Sequence, residues 1–195
     1  MEKIKLDDEI KKELVQHYLK NIGKFDELIK FENPQMEIEM GIQNPKKEKG
    51  KPFYTVVTLG RSAEPQQNNT QFELTMYINE KRQITKEGMK NPVNHQYIQK
   101  LLQTLFFNKI AKTPIGHGAT INFEKPIIEG TDKTCAWIIY DIFETQGFHQ
   151  VEIKGKKIDI YTVIFISEKE LQEIKEKGTN KYLDEHLTDY FMVNE

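Results

Sequence analysis

Hydrophobic residues near the start of the chain recur every three or four positions, which is the spacing of one face of an α-helix. Asp7 and Asp8 stand at the beginning of this pattern, where the helix dipole favours negative charge. The pattern predicts an amphipathic helix from Asp7 to Ile22. Its apolar face consists of Ile10, Leu14, Tyr18, Leu19 and Ile22. The same period over a longer stretch predicts a second helix from Val93 to Ala111, and Pro114 prevents that helix from continuing.

Strand patterns fill the region between these two helices. Apolar and polar residues alternate strictly from Met36 to Ile42, as in a strand with one buried face. Two runs rich in β-branched and aromatic residues, Phe53 to Leu59 and Gln71 to Ile78, predict two more strands. Three successive strands of this kind favour a largely antiparallel sheet. Strand character returns after the second helix in Ala119–Phe123, Cys135–Ile142, Val151–Lys154 and Ile158–Ile166.

Turn and cap residues mark several of the element ends. Gly155 separates the last two strand segments and can supply the positive φ of a hairpin turn. Ser167 and Glu170 have the spacing of a capping box, which predicts a helix from Glu168 to Lys177 that Gly178 ends.

Two further segments have weaker helical signals. A last helix is predicted from Asn180 to Asp189, with Tyr182, Leu183 and Leu187 as its apolar residues. The segment from Gly23 to Asn33 is ambiguous, and its apolar spacing is compatible with a short second helical turn before Pro34.

These elements predict an α+β fold, in which a mixed, largely antiparallel sheet is packed by an N-terminal helix, a long central helix and two C-terminal helices. A chain of 195 residues buries roughly 70% of the surface that its unfolded form exposes, which is enough for one core without disulfides or metal. No repeat, Gly/Ser-rich linker or change of composition divides the sequence. We therefore expect a single domain over residues 1–195.

Composition excludes several classes of function. The chain has 28 Lys and Arg against 30 Asp and Glu, a formal net charge of −2, so no overall field favours nucleic acid or an anionic membrane. No apolar run reaches the ~18 residues of a membrane span, and no secretory leader begins the chain. The single cysteine, Cys135, lies in an apolar run, which favours a buried reduced thiol. A cytoplasmic protein is the expectation.

Candidate catalytic and metal-binding chemistry is sparse. The five histidines do not stand at metal-ligand spacings, so we expect neither a metal nor another cofactor. An alternative interpretation is a hydrolase, in which Asp141, Glu144 and Asp159 converge at strand ends with His149 as general base. Gly60-Arg61-Ser62 lacks the further glycines and the lysine of a phosphate-binding loop, which favours a simple strand-to-loop turn.

Several short blocks follow one another in a fixed order. The blocks are Thr58-Leu59-Gly60-Arg61-Ser62, Phe72-Glu73-Leu74-Thr75-Met76, Gly116-His117-Gly118-Ala119-Thr120, and Val163-Ile164-Phe165-Ile166-Ser167 with Glu168, Glu170, Leu171 and Gly178. In this order they resemble the Suppressor of fused-like domain family over roughly Pro52 to Leu187. The family pattern usually has a methionine or other small apolar residue where this chain has Arg61, and an acidic residue directly after the serine, where this chain has Ala63 and then Glu64.

The resemblance implies a non-enzymatic domain that binds a protein. Compact single-domain bacterial members look like immunity proteins of polymorphic toxin systems, so the favoured hypothesis is stoichiometric neutralisation of a cognate toxin. One alternative is a regulatory or adaptor module that sequesters a host protein through a strand edge, and the second is the hydrolase above. We expect the partner-binding residues to be surface features of one loop and one turn: Gly60, Arg61, Ser62 and Glu64, with Gly116, His117, Gly118 and Thr120.

Overall fold

One nine-stranded sheet runs through the protein. The computed structural model describes residues 3–31, 33–186 and 193–195. The sheet order is β1-β2-β3-β4-β8-β6-β5, with β7 paired to β8 and β9 paired to β4. The strands are β1 (Glu27–Phe31), β2 (Ile38–Gln43), β3 (Phe53–Leu59), β4 (Gln71–Asn79), β5 (Ala119–Asn122), β6 (Lys133–Tyr140), β7 (Gln150–Ile153), β8 (Lys156–Ser167) and β9 (Val193–Asn194).

Most strand pairs in the described part of the chain are antiparallel. The exceptions are the pairs that β4 makes with β8 and with β9, which are parallel. The hairpin between β7 and β8 turns at Lys154 and Gly155, both of which have positive φ. These pairings confirm the mixed, largely antiparallel sheet predicted from the sequence.

Four helices cover the two faces of the sheet. They are α1 (Asp8–Asn21), α2 (Pro92–Ala111), α3 (Glu168–Lys177) and α4 (Thr179–His186). Each of the three longer helices begins at a residue that can accept hydrogen bonds from free amides: Asp7, Asn91 and Ser167 accept from backbone N–H groups of the first turn. The capping box of Ser167 and Glu170 is present as predicted.

Helix α2 packs on one face and the other helices pack on the opposite face. Tyr97, Ile98 and Leu101 of α2 lie in a core cluster with side chains of β2, β3, β4, β6 and β8. On the opposite face, α1 contributes Leu14 to a second cluster, and α3 and α4 pack in a third cluster around Trp137. Cys135 is buried in that third cluster, and burial raises the pKa of its thiol, as expected for an inert cysteine.

The structure corrects the segment from Gly23 to Asn33, where the sequence was compatible with a helical turn. Glu27–Phe31 is instead the edge strand β1, which pairs antiparallel with β2 from Glu27 opposite Ile42 to Phe31 opposite Ile38. Pairing with a neighbouring strand outweighs the weak helical spacing, because strand preference depends mainly on tertiary contacts.

Several element ends differ from the prediction by one or two residues, and those of β6 and α4 are examples. The strand predicted from Cys135 to Ile142 ends at Tyr140, because the Asp141 carboxylate accepts the backbone N–H groups of Phe143 and Glu144 and so closes a turn. The last helix begins one residue early, at Thr179. Its predicted end, including Leu187 and Asp189, lies outside the described residues.

Candidate functional site

The loop after β3 is built around a buried carboxylate. Glu73 of β4 is fully buried, and its Oε1 accepts hydrogen bonds from the N–H groups of Gly60 and Ser62, both at 2.9 Å, and from the Ser62 hydroxyl at 2.6 Å. Its Oε2 accepts from the Thr58 hydroxyl at 2.6 Å. The amides that could have held a phosphate therefore bind the chain's own glutamate, which supports the interpretation of this loop as a structural turn.

Gly60 is required at this turn by two independent constraints. Its φ is 128°, a backbone angle that residues with a Cβ rarely adopt. A Cβ on Gly60 would also collide with the carbonyl oxygen of Glu37. The glycine therefore permits the close approach of two backbone segments.

Arg61 and Ser62 are buried, which corrects the expectation that this loop exposes them to a partner. The guanidinium of Arg61 donates to the carbonyl of Glu64 at 2.7 Å and to the Asn108 side chain at 3.1 Å, and lies 5.0 Å from the centre of the Phe72 ring. Burial lowers the pKa of Arg61, and the nearby acids Glu64 and Glu73 counter that effect.

A buried polar network joins this loop to the second predicted region. The Gln66 side chain accepts from the backbone N–H of Ile115 at 2.6 Å and donates to the Ile115 carbonyl at 2.9 Å. Asn108 of α2 donates to the same Gln66 oxygen at 3.2 Å and accepts from Arg61. The network holds together the loop after β3, the end of α2 and the segment leading into the turn at Gly116.

The turn from Gly116 to Thr120 contacts β6 and α4. His117 is exposed, stacks on Tyr140 at 5.0 Å between ring centres, and accepts from the Tyr140 N–H through Nδ1 at 3.0 Å. That bond places the ring proton on Nε2, which lies 3.1 Å from the Asn180 side-chain oxygen. Gly118 has a φ of 85° and packs closely against Thr179. Among the eight predicted site residues, His117 is exposed. Its ring nitrogens nevertheless already contact the Tyr140 N–H and the Asn180 side chain.

The residues of the hydrolase interpretation have separate partners. The Asp141 carboxylate accepts hydrogen bonds from the hydroxyls of Tyr77 at 2.5 Å and Thr162 at 2.7 Å, on the face that α3 and α4 cover. Glu144 binds Lys51 at 2.6 Å, and burial raises the pKa of Glu144.

The other two members of the hydrolase interpretation lie apart from that acid pair. The ring of His149 packs against Tyr140, a residue of the α2 face, with 5.0 Å between ring centres. Asp159 accepts from Gln150 and Tyr161. No hydrogen bond among the described residues joins His149 to Asp141 or Glu144, so the arrangement lacks the contact between base and acid that the interpretation requires.

A fork in the sheet was not foreseen from the sequence. Strands β4 and β8 pair in parallel only as far as Thr75 opposite Thr162. Beyond that point β9 enters between them and pairs with β4 at Tyr77 and Ile78.

The side chain of Asn194 completes the fork on the β8 side. It donates to the carbonyls of Tyr77 and Val163, both at 3.0 Å, and accepts from the N–H of Phe165 at 2.6 Å. The buried amide side chain of Asn194 thus takes the place of a strand backbone, because it forms hydrogen bonds with main-chain groups of both β4 and β8.

A groove of about 400 Å³ continues the fork, and we call it the fork groove. Phe53, Asn79 and Lys81 line it beside β4, while Ile164–Ile166 and Lys133 line it beside β8. Lys133 forms an ion pair with Glu170 at 2.8 Å on its wall. The groove and the loop at Gly60 are at opposite ends of β4, roughly 25 Å apart for a nine-residue strand. Val193 and Asn194 of β9 also line the groove, so its apolar residues border both β8 and this short strand.

Two other kinds of site were sought in the part of the chain that the structure describes. There, no three side chains of His, Cys, Asp or Glu come together as they would to hold a metal ion. Within the same residues, no helix is long and apolar enough to cross a membrane.

Comparison with known proteins identifies the family to which this chain belongs. The sequence profile of the Suppressor of fused protein family matches residues 34–193, which is most of the chain. The chain therefore belongs to the Suppressor of fused family, and the resemblance drawn from the sequence is confirmed. A comparison with curated protein sequences gives no significant match.

Solved structures share the fold at low sequence identity. The Sufu–Fu complex structure matches with a TM-score of 0.66 and 12% identity, over 99% of this chain and 90% of that one. A suppressor of fused homologue from Neisseria gonorrhoeae FA 1090 matches with a TM-score of 0.61 and 12% identity, over 94% and 93%. Drosophila Suppressor of Fused matches with a TM-score of 0.55 and 12% identity, over 76% of this chain and 37% of that one.

Proposed function

We propose that this chain is a non-enzymatic protein-binding domain that acts in the cytoplasm and receives an extended segment of its partner in the fork groove. The observation that carries the proposal is the groove itself, where apolar residues of β8 and Phe53 lie beside the short strand β9. Extended peptides bind by adding to a strand edge through main-chain hydrogen bonds, and flanking pockets select their side chains. Family membership supports the proposal, since a protein of this fold is found in the Sufu–Fu complex.

We further propose that the partner is a bacterial toxin and that binding neutralises it stoichiometrically. This step rests on the resemblance to compact bacterial members of the family that look like immunity proteins. The exposed His117 is proposed as an additional contact, together with Glu64, Gly116, Gly118 and Thr120, which are half-buried. A regulatory module that sequesters a host protein could use the same groove, and a gene neighbourhood without a toxin would favour that alternative.

Co-expression with toxins encoded by neighbouring genes tests the proposal. The expected result is rescue of growth together with a complex of fixed stoichiometry, from which the toxin is recovered with unchanged mass. Lys81→Trp should block the groove and weaken the complex about tenfold or more, because Lys81 is an exposed residue of its lining. Lys157→Trp is the matched control, since Lys157 is exposed at the other end of β8.

Three outcomes would count against the proposal. Neither rescue nor a complex with any neighbouring toxin would contradict the immunity function. A complex that Lys81→Trp leaves intact would place the interface elsewhere. A toxin recovered with altered mass would show that the chain acts as an enzyme.

A further inference from the structure

The fork groove has charged side chains on both of its walls as well as apolar ones. Its apolar lining includes Phe53, Ile164 and Ile166. Its charged lining consists of Glu80, Lys81, Lys133, Glu170 and Glu195. A bound segment displaces water from these charges, so each of them needs a partner, either within the chain or in the segment itself. The charge that has no partner within the chain therefore indicates what the segment must bring.

Two of the three acids in the lining are paired within the chain. Glu170 accepts hydrogen bonds from the Lys133 ammonium at 2.8 Å and from the Ser167 N–H at 2.6 Å. Burial would raise the pKa of Glu170, but these hydrogen bonds outweigh burial and lower that pKa, so the carboxylate stays charged. Glu80 forms an ion pair with Lys47 at 2.8 Å. Both acids are therefore already balanced by a lysine.

The third acid, Glu195, also has a basic neighbour. The guanidinium of Arg82 lies 5.7 Å from the centre of the Tyr97 ring. Burial raises the pKa of the Tyr97 hydroxyl, Arg82 opposes that rise and Glu195 adds to it, so this acid and this base lie near the same hydroxyl. Their opposite charges partly balance each other.

Lys81 is the charge of the lining that remains. It is exposed in the turn after β4 and forms no ion pair within the described residues. Its backbone N–H donates to the Asn79 side chain at 3.0 Å, which fixes the backbone from which the lysine side chain extends. In the described part of the chain, the groove and its immediate neighbours therefore have one positive charge in excess, and Lys81 carries it.

We infer that the segment bound in the fork groove is an extended stretch of a protein partner in which an acidic residue faces Lys81, with apolar residues beside it. The carboxylate pairs with the uncompensated lysine, while the apolar side chains contact Phe53 and Ile164. Alternate side chains of an extended segment point to the same side, so we expect the acid and the apolar residues at alternate positions. The inference rests on the proposed function for the statement that a protein segment occupies the groove.

Selection from a phage library of random peptides on the full chain supplies the probes. Peptides that shift the backbone amide signals of Ile164, Phe165 and Ile166 in nuclear magnetic resonance spectra are retained as groove binders, because these residues line the groove. This criterion does not depend on charge. We expect the groove binders to carry Asp or Glu among apolar residues at alternate positions.

Reversal of the charge at Lys81 tests the contact itself. Lys81→Glu should weaken the groove binders about fivefold or more, because an attraction becomes a repulsion at an exposed position. Lys81→Gln removes the charge without reversing it and should have a smaller effect. Replacing the acid of the peptide by Lys should restore binding to Lys81→Glu, which a mere structural disturbance would not allow.

Lys156→Glu is the matched control for Lys81→Glu. Lys156 is likewise exposed and forms no ion pair with another described residue, but it lies at the other end of β8. The same charge reversal there should leave peptide affinity unchanged.

The possible outcomes distinguish this inference from the proposed function. Groove binders that lack an acid, that tolerate Lys81→Glu, or that the exchanged charge does not rescue would overturn the inference while leaving the groove as the binding site. A library in which no peptide shifts the three amide signals would contradict both the inference and the proposed binding site. A dimer in light scattering that Lys81→Glu dissociates would assign the groove to a second copy of the chain and would also overturn the inference.

Discussion

At the scale of single residues, Arg61 raises the question of whether its charge or its volume contributes more to stability. Its guanidinium is buried with hydrogen bonds to the Glu64 carbonyl and to Asn108, but its Nε has no hydrogen-bond partner among the described residues. The cost of removing this charge from water offsets much of what its two hydrogen bonds contribute. The volume that the side chain fills against Phe72 is therefore expected to be worth more than its charge.

Two substitutions separate volume from charge at this position. Arg61→Ala leaves a cavity and removes the donor to the Asn108 side-chain oxygen, and should lower the free energy of unfolding by about 3 kcal/mol or more. Arg61→Met keeps most of the volume and should cost only about 1 kcal/mol. Urea denaturation measures both. Equal losses in the two variants would show that the charge and its hydrogen bonds dominate.

His17 makes stability depend on pH. Burial lowers the pKa of His17 below its ordinary value of 6.5, partly opposed by the hydrogen bond between its Nε2 and the carbonyl of Phe148 at 2.9 Å. Below pH 6.5 the unfolded chain takes up a proton more readily than the folded one, so stability is lost as pH falls through the lowered folded pKa. Above that window this contribution to stability is fully present.

The variant His17→Gln should lose this part of the pH dependence. Its amide can still donate to the Phe148 carbonyl but does not titrate. Unfolding measured by urea from pH 7.5 downward should show a shallower fall in stability than the unmodified protein shows. His95→Gln, at the partly exposed start of α2, should keep the slope assigned to His17. An unchanged slope in His17→Gln would assign the effect to other groups.

At the scale of elements, Asn194 holds the fork in the sheet together. Asn194→Ala removes three hydrogen bonds and leaves two carbonyls and one N–H of β4 and β8 without their partner. At about 1 kcal/mol for each bond, the expected loss of stability is about 2–4 kcal/mol. Hydrogen exchange should locate the effect, with faster exchange of the Phe165 amide.

Asn122→Ala serves as the control for Asn194→Ala. Asn122 is exposed at the end of β5 and its side chain donates to Glu168 at 3.2 Å, so its removal should cost under about 1 kcal/mol. Retention of a slow Phe165 amide in Asn194→Ala would mean that another group closes the fork.

The elements whose own sequence carries a strong signal were predictable. The helices α1 and α2 follow from their apolar spacing, and the start of α3 follows from Ser167 and Glu170. The edge strand β1 was missed because it is a strand only by pairing with β2. The fork groove could not be foreseen either, since Asn194 meets Tyr77 from 117 residues away. No local pattern encodes such a contact.

The motifs of the candidate site were predictable, but the structure buries two of its residues, Arg61 and Ser62. Gly60, Ser62 and the Gly116 turn do mark the ends of elements. Arg61 was expected at the surface. The structure instead buries it against Asn108 and Phe72, although arginine is rarely buried. The contact of the two regions with a partner stays a prediction.

At the scale of the whole molecule, one sheet packs against helices on both of its faces. The cluster around Leu14 of α1 and the cluster around Trp137 lie on the same face of the sheet but contain different helices. Strand β8 contributes to both of them and to the α2 cluster. Because β8 runs through every part of the core, the loss of one cluster should destabilise the others. We therefore propose that the described chain unfolds as one cooperative unit.

Leu14→Ala tests this proposal at a distance. Leu14 is fully buried, so the substitution should lower stability by about 2–5 kcal/mol. Trp137 is the only tryptophan and lies in the α3 and α4 cluster, so its fluorescence reports unfolding far from the substitution. In a single cooperative unit, its urea midpoint and that of far-ultraviolet circular dichroism must shift together by the same amount. Leu28→Ala, at an edge residue that is 53% exposed, should shift neither by much. A Trp137 transition that stays in place while circular dichroism moves would show that α1 and its cluster unfold separately, and the prediction of one domain over residues 1–195 would then be wrong.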